Sequence, residues 1–136
     1  MLKIPQEIHE ALIQQAVAEL PYEACGYLAG RGDEILLQIP MTNVDQSPEH
    51  FSFAPAEQFA ALRTARDKGM VLKAVYHSHP STPARLSEED LRLLNDPSLI
   101  YIIISLAGAE AQIKAFRIVN KVVTELPIQI IGGDPT

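Results

Sequence analysis

The chain has 136 residues, the size of one ordinary domain, and 47% of them are hydrophobic, so it can bury a core without cross-links. Its net charge of −6 argues against a nucleic-acid partner, because phosphate contacts need clustered lysine and arginine. One cysteine excludes an internal disulfide framework, and no apolar run reaches the roughly 20 residues that cross a bilayer. Since its start also shows no signal-peptide layout, we expect residues 1–136 to form one cytoplasmic domain.

A helix and a hairpin are predicted in the first 40 residues. Apolar side chains recur every four residues along one stripe, at Ile4, Ile8, Leu12, Ala16 and Leu20. This spacing predicts an amphipathic helix from about Pro5 to Glu19, which Pro21 ends. Two apolar runs, residues 23–30 and 34–39, flank a Gly-Asp turn and predict a β-hairpin.

A second helix follows a polar segment. Phe51–Phe53 is a candidate short strand within that segment. Pro55 suits the first turn of a helix that runs to about Lys68, and Gly69 suits its C-terminal cap. The apolar stripe assigned to this helix is Phe59, Leu62 and Ala65.

The second half of the chain predicts four strands and one short helix. Residues 71–77 form an apolar run that predicts a central strand, and residues 87–95 predict the helix. Residues 100–106 are apolar throughout, which indicates a strand buried on both faces. Residues 111–118 alternate as a half-buried strand does, and residues 122–126 continue the sheet. The fold class is therefore α/β (α+β), with a mixed, mainly antiparallel sheet flanked by helices.

The stretch around His77 and His79 carries the clearest chemical signal. Residues i and i+2 of a strand point to the same face, so both imidazoles can reach one ion. Ser87 is predicted to cap the third helix, which places Asp90 in its first turn, within reach of the strand end. Two imidazoles and a carboxylate make a three-ligand zinc site with an open fourth position, as catalytic sites have. Either motif alone is weak, since an H-x-H pair is often structural and Ser-x-x-Asp is often only a cap.

A metal-assisted hydrolysis also needs a base, and Glu23 is the candidate. It opens an apolar strand directly after the helix-ending Pro21, an unusual placement for an acid. The alternative is that Glu23 lies in an exposed turn. Cys25 falls on the same strand face and could approach the metal as a thiolate, or serve as a small buried residue.

A longer pattern carries a family resemblance. Its positions are Pro21-x-Glu23-x-Cys25-Gly26-x-Leu28-x-Gly30, then His77-x-His79-Pro80, Ser87 and Asp90. Together they resemble the JAMM (MPN-plus) zinc metalloproteases, in the compact prokaryotic form. The resemblance implies an MPN/JAB1-like (cytidine-deaminase-like) fold, with Zn²⁺ held by His77, His79 and Asp90. It implies that Glu23 is the general base and that Ser87 stabilises the oxyanion or positions the water.

The resemblance also suggests a substrate. Compact members resemble peptidases that act on small ubiquitin-like sulfur-carrier proteins ending in Gly-Gly and cleave the amide bond after the second glycine. An extended Gly-Gly tail could add to a strand edge in a narrow groove, for which Phe51–Phe53 and His50 are candidate lining residues. The chain is short for a deubiquitinase, whose inserted segments grip ubiquitin. A homodimer is a candidate assembly.

Other classes remain as alternatives. A deubiquitinase-like isopeptidase would act on another ubiquitin-like conjugate, and a non-catalytic MPN scaffold would have lost its ligands, whereas all five positions are present here. Relatives associated with DNA repair would need a basic patch, and the acidic balance of this chain argues against that alternative. A zinc deaminase would need an H-x-E and a P-C-x-x-C motif, which one cysteine cannot supply.

Overall fold

The computed structural model describes residues 1–93 and 96–132, except for the side chains of Glu89 and Leu93. Its helices are α1 (Gln6–Ala18), α2 (Pro55–Asp67) and α3 (Glu88–Leu93). Its strands are β1 (Leu2–Pro5), β2 (Cys25–Arg31), β3 (Glu34–Met41), β4 (Val71–His79), β5 (Ile100–Ser105), β6 (Gln112–Val119), β7 (Val122–Leu126) and β8 (Ile128–Ile131).

The strands form an eight-stranded mixed sheet in the order β7-β6-β5-β4-β2-β3-β1-β8. The central strand β4 pairs antiparallel with β2 and parallel with β5. The hairpin partners β2–β3, β5–β6 and β6–β7 are antiparallel, while β1 runs parallel to both β3 and β8. The predicted fold class, a mixed sheet with flanking helices, is confirmed.

The two faces of β4 belong to different cores because successive side chains of a strand alternate. Ala74 and Tyr76 pack in the cluster that contains Leu12 and Ala16 of α1. Val75 packs instead in the cluster that contains Ala61 of α2. The alternation continues to the end of β4, where residues 77 and 79 lie on the α2 side. The sheet thereby presents its histidines at the edge of the second core.

The predicted hairpin, the second helix and strands β4 to β7 are present close to their expected bounds. Gly69 follows α2 with φ of +69°, the left-handed conformation expected at a helix end. All six residues of β5 are buried, as its unbroken apolar run predicts. The predicted end of the third helix falls on residues 94 and 95, outside the described residues.

Three expectations were wrong. Ile4 is buried in strand β1, outside the first helix, because residues 2–5 pair with β8, a strand that was not predicted. Phe51–Phe53 is not a strand. On α2, Phe59 and Leu62 are 65% and 48% exposed, and the buried residues are Ala61 and Ala65. Small side chains face the sheet because a helix with alanines at the contact can approach it closely.

Gly26 provides a test of the packing between β2 and its neighbours. A Cβ at this position would lie 2.6 Å from the Ile39 carbonyl oxygen and would collide with the Tyr76 hydroxyl. We expect Gly26→Ala to lower the free energy of unfolding by about 1–3 kcal/mol through overpacking. Chemical denaturation measures this, with Gly108→Ala as the control because its Cβ would meet nothing closer than 3.6 Å. Equal stability of the two variants would contradict the described approach of these strands.

Candidate metal centre

The structure brings together the two histidines and the aspartate that the sequence singles out. His77 and His79 lie at the C-terminal end of β4, and their Nε2 atoms are 3.2 Å apart. Asp90 lies in the first turn of α3, with Oδ1 3.1 Å from His77 Nε2 and Oδ2 3.1 Å from His79 Nε2. All three residues are buried, and the group has the composition and spacing to hold a metal ion.

The tautomer of His79 fits a cation in this position. Its Nδ1 lies 2.9 Å from the carbonyl oxygen of Pro83, which can only accept, so Nδ1 carries the hydrogen. In the neutral ring Nε2 then holds a lone pair, and this lone pair faces a carboxylate oxygen of Asp90. Two acceptors at this distance repel each other unless a proton or a metal cation lies between them. A backbone carbonyl that orients a ligand imidazole is also the usual support of a metal-binding histidine.

Burial and the neighbouring charges set the protonation of the group. Burial lowers the pKa of His77 more than the Asp90 carboxylate raises it. Burial also acts against charge on His79, but hydrogen bonds to Asp90 and the Pro83 carbonyl raise its pKa. Burial opposes ionisation of Asp90, yet the two imidazoles and the Ser87 N–H hold its pKa well below the usual range. The carboxylate is therefore ionised at neutral pH, as metal binding requires.

Ser87 and Asp90 fix each other at the start of α3. The Ser87 N–H donates to Asp90 Oδ2 at 3.0 Å, and the Asp90 N–H donates to Ser87 Oγ at 3.0 Å. This reciprocal pair is the predicted cap, and it also orients the carboxylate toward the histidines. Because Ser87 Oγ accepts the Asp90 N–H, its own O–H remains available to donate. The side chain is exposed and borders the same cavity as Glu23 and His79.

Glu23 is buried, so the exposed-turn alternative for this residue was wrong. It lies two residues before β2, and its N–H donates to the Ser47 carbonyl at 2.8 Å. The next residue is bonded to the strand that carries the histidines, since the Ala24 N–H donates to Ser78 Oγ at 2.7 Å. The Ser78 N–H in turn donates to the Ala24 carbonyl at 2.9 Å. Glu23 thereby opens into a cavity of about 570 Å³ that His79 also lines.

A second, largely aromatic cavity borders Asp90. It measures about 360 Å³ and is lined by residues including Tyr27, His50, Phe51, Ser52, Phe53 and Tyr101. Phe51 stacks on His77 with ring centroids 4.9 Å apart and an interplanar angle of 26°. The Phe51 ring also packs against the core cluster that contains Ala61 of α2. Phe51 therefore both lines the cavity and packs against the core.

Cys25 has the position of a buried structural residue. Its side chain packs in the α2-side core, and Sγ lies 3.8 Å from the Met41 carbonyl oxygen. Burial, together with Glu19 and Glu23, raises the pKa of the thiol to about 12. A thiolate at neutral pH is therefore disfavoured, and the thiol is not part of the His–His–Asp group.

Two contacts at the site have no strong signal in the sequence. Ser78 lies between the histidines and looks like a spacer, yet its hydroxyl accepts the N–H of Ala24, the residue just before β2. Asn43 sits in a polar segment that reads as a loop, yet it is 8% exposed and contacts the backbone of Glu23. Partners 54 and 20 residues away in the chain make these contacts, which local patterns do not encode.

Residues 5–119 match the Prok-JAB family, the prokaryotic homologs of the JAB domain. The CysO-cysteine peptidase of Mycobacterium tuberculosis is 33% identical over 134 residues, which span 96% of this chain and 92% of the relative. A probable TtuB-protein conjugate cleaving protease of Thermus thermophilus is 36% identical over 93 residues, or 68% of this chain and 62% of that protein. The solution structure of a Desulfitobacterium hafniense protein matches with a TM-score of 0.90 at 43% identity, covering 98% and 94% of the two chains.

The fold, the site and these relatives define the chain as a hydrolase of the JAMM type. Within that class it belongs to the family of prokaryotic JAB-domain proteins. The family predicted from the spacing of Glu23, the histidines, Ser87 and Asp90 is therefore confirmed. Within residues 1–93 and 96–132, no helix combines the length and apolarity needed to cross a membrane.

Metal binding can be tested directly. After a chelator has removed any bound metal, we expect the protein to take up zinc stoichiometrically. Its melting temperature should rise with zinc, because an ion that binds only the folded state stabilises that state. His79→Ala and Asp90→Ala should abolish uptake, as measured by elemental analysis and thermal denaturation. His9→Ala on α1 is the matched control. Stoichiometric zinc in Asp90→Ala would contradict the ligand set.

Proposed function

We propose that this chain is a zinc-dependent peptidase that hydrolyses the amide bond after the C-terminal Gly-Gly of a small ubiquitin-like or sulfur-carrier protein. The observation that carries the proposal is the buried group of His77, His79 and Asp90, with Glu23 and Ser87 bordering the same cavity. A CysO-cysteine peptidase and a TtuB-protein conjugate cleaving protease among the relatives support the substrate class.

The donor set favours zinc. Two imidazole nitrogens and one carboxylate oxygen are the kinds of ligand that zinc binds in catalytic sites, where a fourth position stays open. When bound, zinc supplies Lewis-acid activation of the attacking water and of the scissile carbonyl. The chain's own residues then supply proton transfer and oxyanion stabilisation.

Glu23 has the role of general base. Its carboxylate would take the proton of the attacking water and deliver it to the leaving amine when the C–N bond breaks. The buried position of Glu23 supports this role, because a carboxylate removed from bulk water interacts more strongly with the reacting groups. Ser87 would donate its O–H to the oxygen that becomes negative during attack, while its Oγ continues to accept the Asp90 N–H.

The surroundings of the site support a slender substrate tail. The aromatic cavity lies beside Asp90, and the polar cavity holds Glu23 and Ser87. A tail that extends from the aromatic cavity to the polar cavity would pass Asp90 and His79, which line them. Glycines at the scissile bond keep the backbone free to approach that closely.

A deubiquitinase-like isopeptidase that cleaves protein–protein conjugates is the second candidate. The relative from Thermus thermophilus favours it, since the activity in its name is cleavage of a protein conjugate. The two candidates share the acyl side of the bond and differ in the leaving amine. A cytoplasmic location, proposed from the single cysteine, suits both.

The decisive assay is cleavage of a sulfur-carrier protein extended past its Gly-Gly by cysteine or a short peptide, followed by mass spectrometry. We expect cleavage after the second glycine, its loss with a chelator, and its return when zinc is restored. Glu23→Gln should lower kcat by about 10²–10⁴-fold while zinc stays bound, because it removes the base and no ligand. Glu10→Gln, an exposed carboxylate of α1, is the control.

Three outcomes would count against this account. Wild-type rates in Glu23→Gln would remove Glu23 as the base, and loss of zinc in that variant would make it a ligand. If the zinc-loaded enzyme leaves the extended carrier intact but cleaves an isopeptide-linked conjugate, the second candidate replaces the first.

Ser87 needs a separate test because it also caps α3. We expect Ser87→Ala to lower kcat by about 10²–10³-fold, as loss of an oxyanion donor does, with a loss of about 0.5–2 kcal/mol in stability from the cap. Ser87→Thr retains a hydroxyl and should recover much of both. If Ser87→Ala lowers the melting temperature while kcat is unchanged, the hydroxyl serves only as a cap.

A further inference from the structure

Asn43 connects the segment that carries Glu23 to the loop that follows β3. Its side chain is 8% exposed, so its polar atoms need protein partners. The Nδ2 group donates to the Glu23 carbonyl at 3.1 Å and to the His50 carbonyl at 3.0 Å. Its Oδ1 accepts the Asp45 N–H at 3.1 Å. Two acceptors at one end and a donor at the other fix the orientation of the amide.

The loop held by this amide returns to the site at both ends. The Glu23 N–H donates to the Ser47 carbonyl, so both backbone polar groups of Glu23 bond to the segment that begins at Asn43. The same loop carries Phe51, which stacks on the ring of His77. One amide side chain therefore joins the candidate base to the loop that covers a candidate metal ligand.

Contacts on both sides of Glu23 in the chain help to hold its backbone. On its C-terminal side, Ala24 is bonded to Ser78 on the histidine strand. On its N-terminal side lies Tyr22, an exposed residue whose N–H donates to the Glu19 carbonyl at 2.9 Å, and the loop adds the bonds to Glu23 itself. Without the Asn43 amide, the Glu23 carbonyl would lose the donor that Asn43 supplies, and the direction in which the carboxylate leaves the backbone would be less restricted.

We propose that Asn43 is a positioning residue for Glu23, which fixes the backbone of the general base relative to the histidine strand through its two N–H donors. The inference rests on the proposed role of Glu23. Asn43 itself does not touch the reacting atoms in this account. Its effect on the reaction is transmitted through the placement of Glu23, and a displacement of about 1 Å can cost about 10²-fold in rate.

The first measurement does not depend on any substrate. In the zinc-loaded protein, amide hydrogen exchange followed by NMR reports the bond from the Glu23 N–H to the Ser47 carbonyl. We expect Asn43→Ala to speed exchange at Glu23 about tenfold, the ratio that corresponds to loss of a typical hydrogen bond, with the β5 amides unchanged. Unchanged exchange at Glu23 would overturn the inference.

The second measurement is kinetic. We expect Asn43→Ala to lower kcat at least about tenfold, with KM within about threefold and zinc still stoichiometric, because the base is displaced while binding groups stay in place. Asn43→Asp keeps the size and the acceptor for Asp45 but lacks the N–H donors, so it should behave like Asn43→Ala. Thr42→Val is the control, since it removes a neighbouring hydroxyl that bonds to Glu57.

The outcomes separate the possible roles of Asn43. A rise in KM alone would assign Asn43 to the cavity wall, and a lower melting temperature with normal kcat would make it purely structural. Wild-type kcat in Asn43→Asp would show that its N–H donors are not needed. If the wild-type enzyme cleaves no Gly-Gly conjugate, the proposed function fails, and hydrogen exchange still decides whether Asn43 fixes Glu23.

Discussion

Three electron-rich side chains meet in the interior of this protein, and the surrounding structure keeps them together. The Nε2 atoms of His77 and His79 and the carboxylate of Asp90 lie within about a hydrogen-bond length of one another. The Pro83 carbonyl fixes one ring so that its lone pair faces the carboxylate. Such an arrangement is electrostatically unfavourable without a positive charge at its centre, which a bound metal ion would supply.

The proposed catalysis depends on joining this group to Glu23, an acid from a distant part of the chain. Glu23 belongs to the segment before β2, and the histidines end β4, with Cys25 and His77 directly opposite in the register. The Ser78 hydroxyl adds a bond from the ligand strand to the backbone beside Glu23. Backbone hydrogen bonds thus hold the candidate base and the candidate ligands in one unit. Placement of this kind is what proton transfer in a preorganised site needs.

Most of the ligand set could be predicted from sequence because it follows local rules. His77 and His79 share a face by the two-residue period of a strand, whatever the rest of the fold does. Ser87 and Asp90 are related by the three-residue spacing of a helix cap, which orients the carboxylate locally. The continuous apolar run of β5 likewise predicts a strand covered on both faces. These features need no information from elsewhere in the chain.

The sequence pattern therefore predicted the family, the mixed sheet and the residues that converge as candidate ligands. The tertiary structure makes residues 2–5 a strand, since their parallel partner β8 comes more than a hundred residues later. It also decided that α2 buries Ala61 in preference to Phe59, because closeness to the sheet outweighs side-chain hydrophobicity there. The burial of Glu23 and its contact with Asn43 depend on loop packing. Such features depend on contacts between residues far apart in the chain, which local periodicity does not predict.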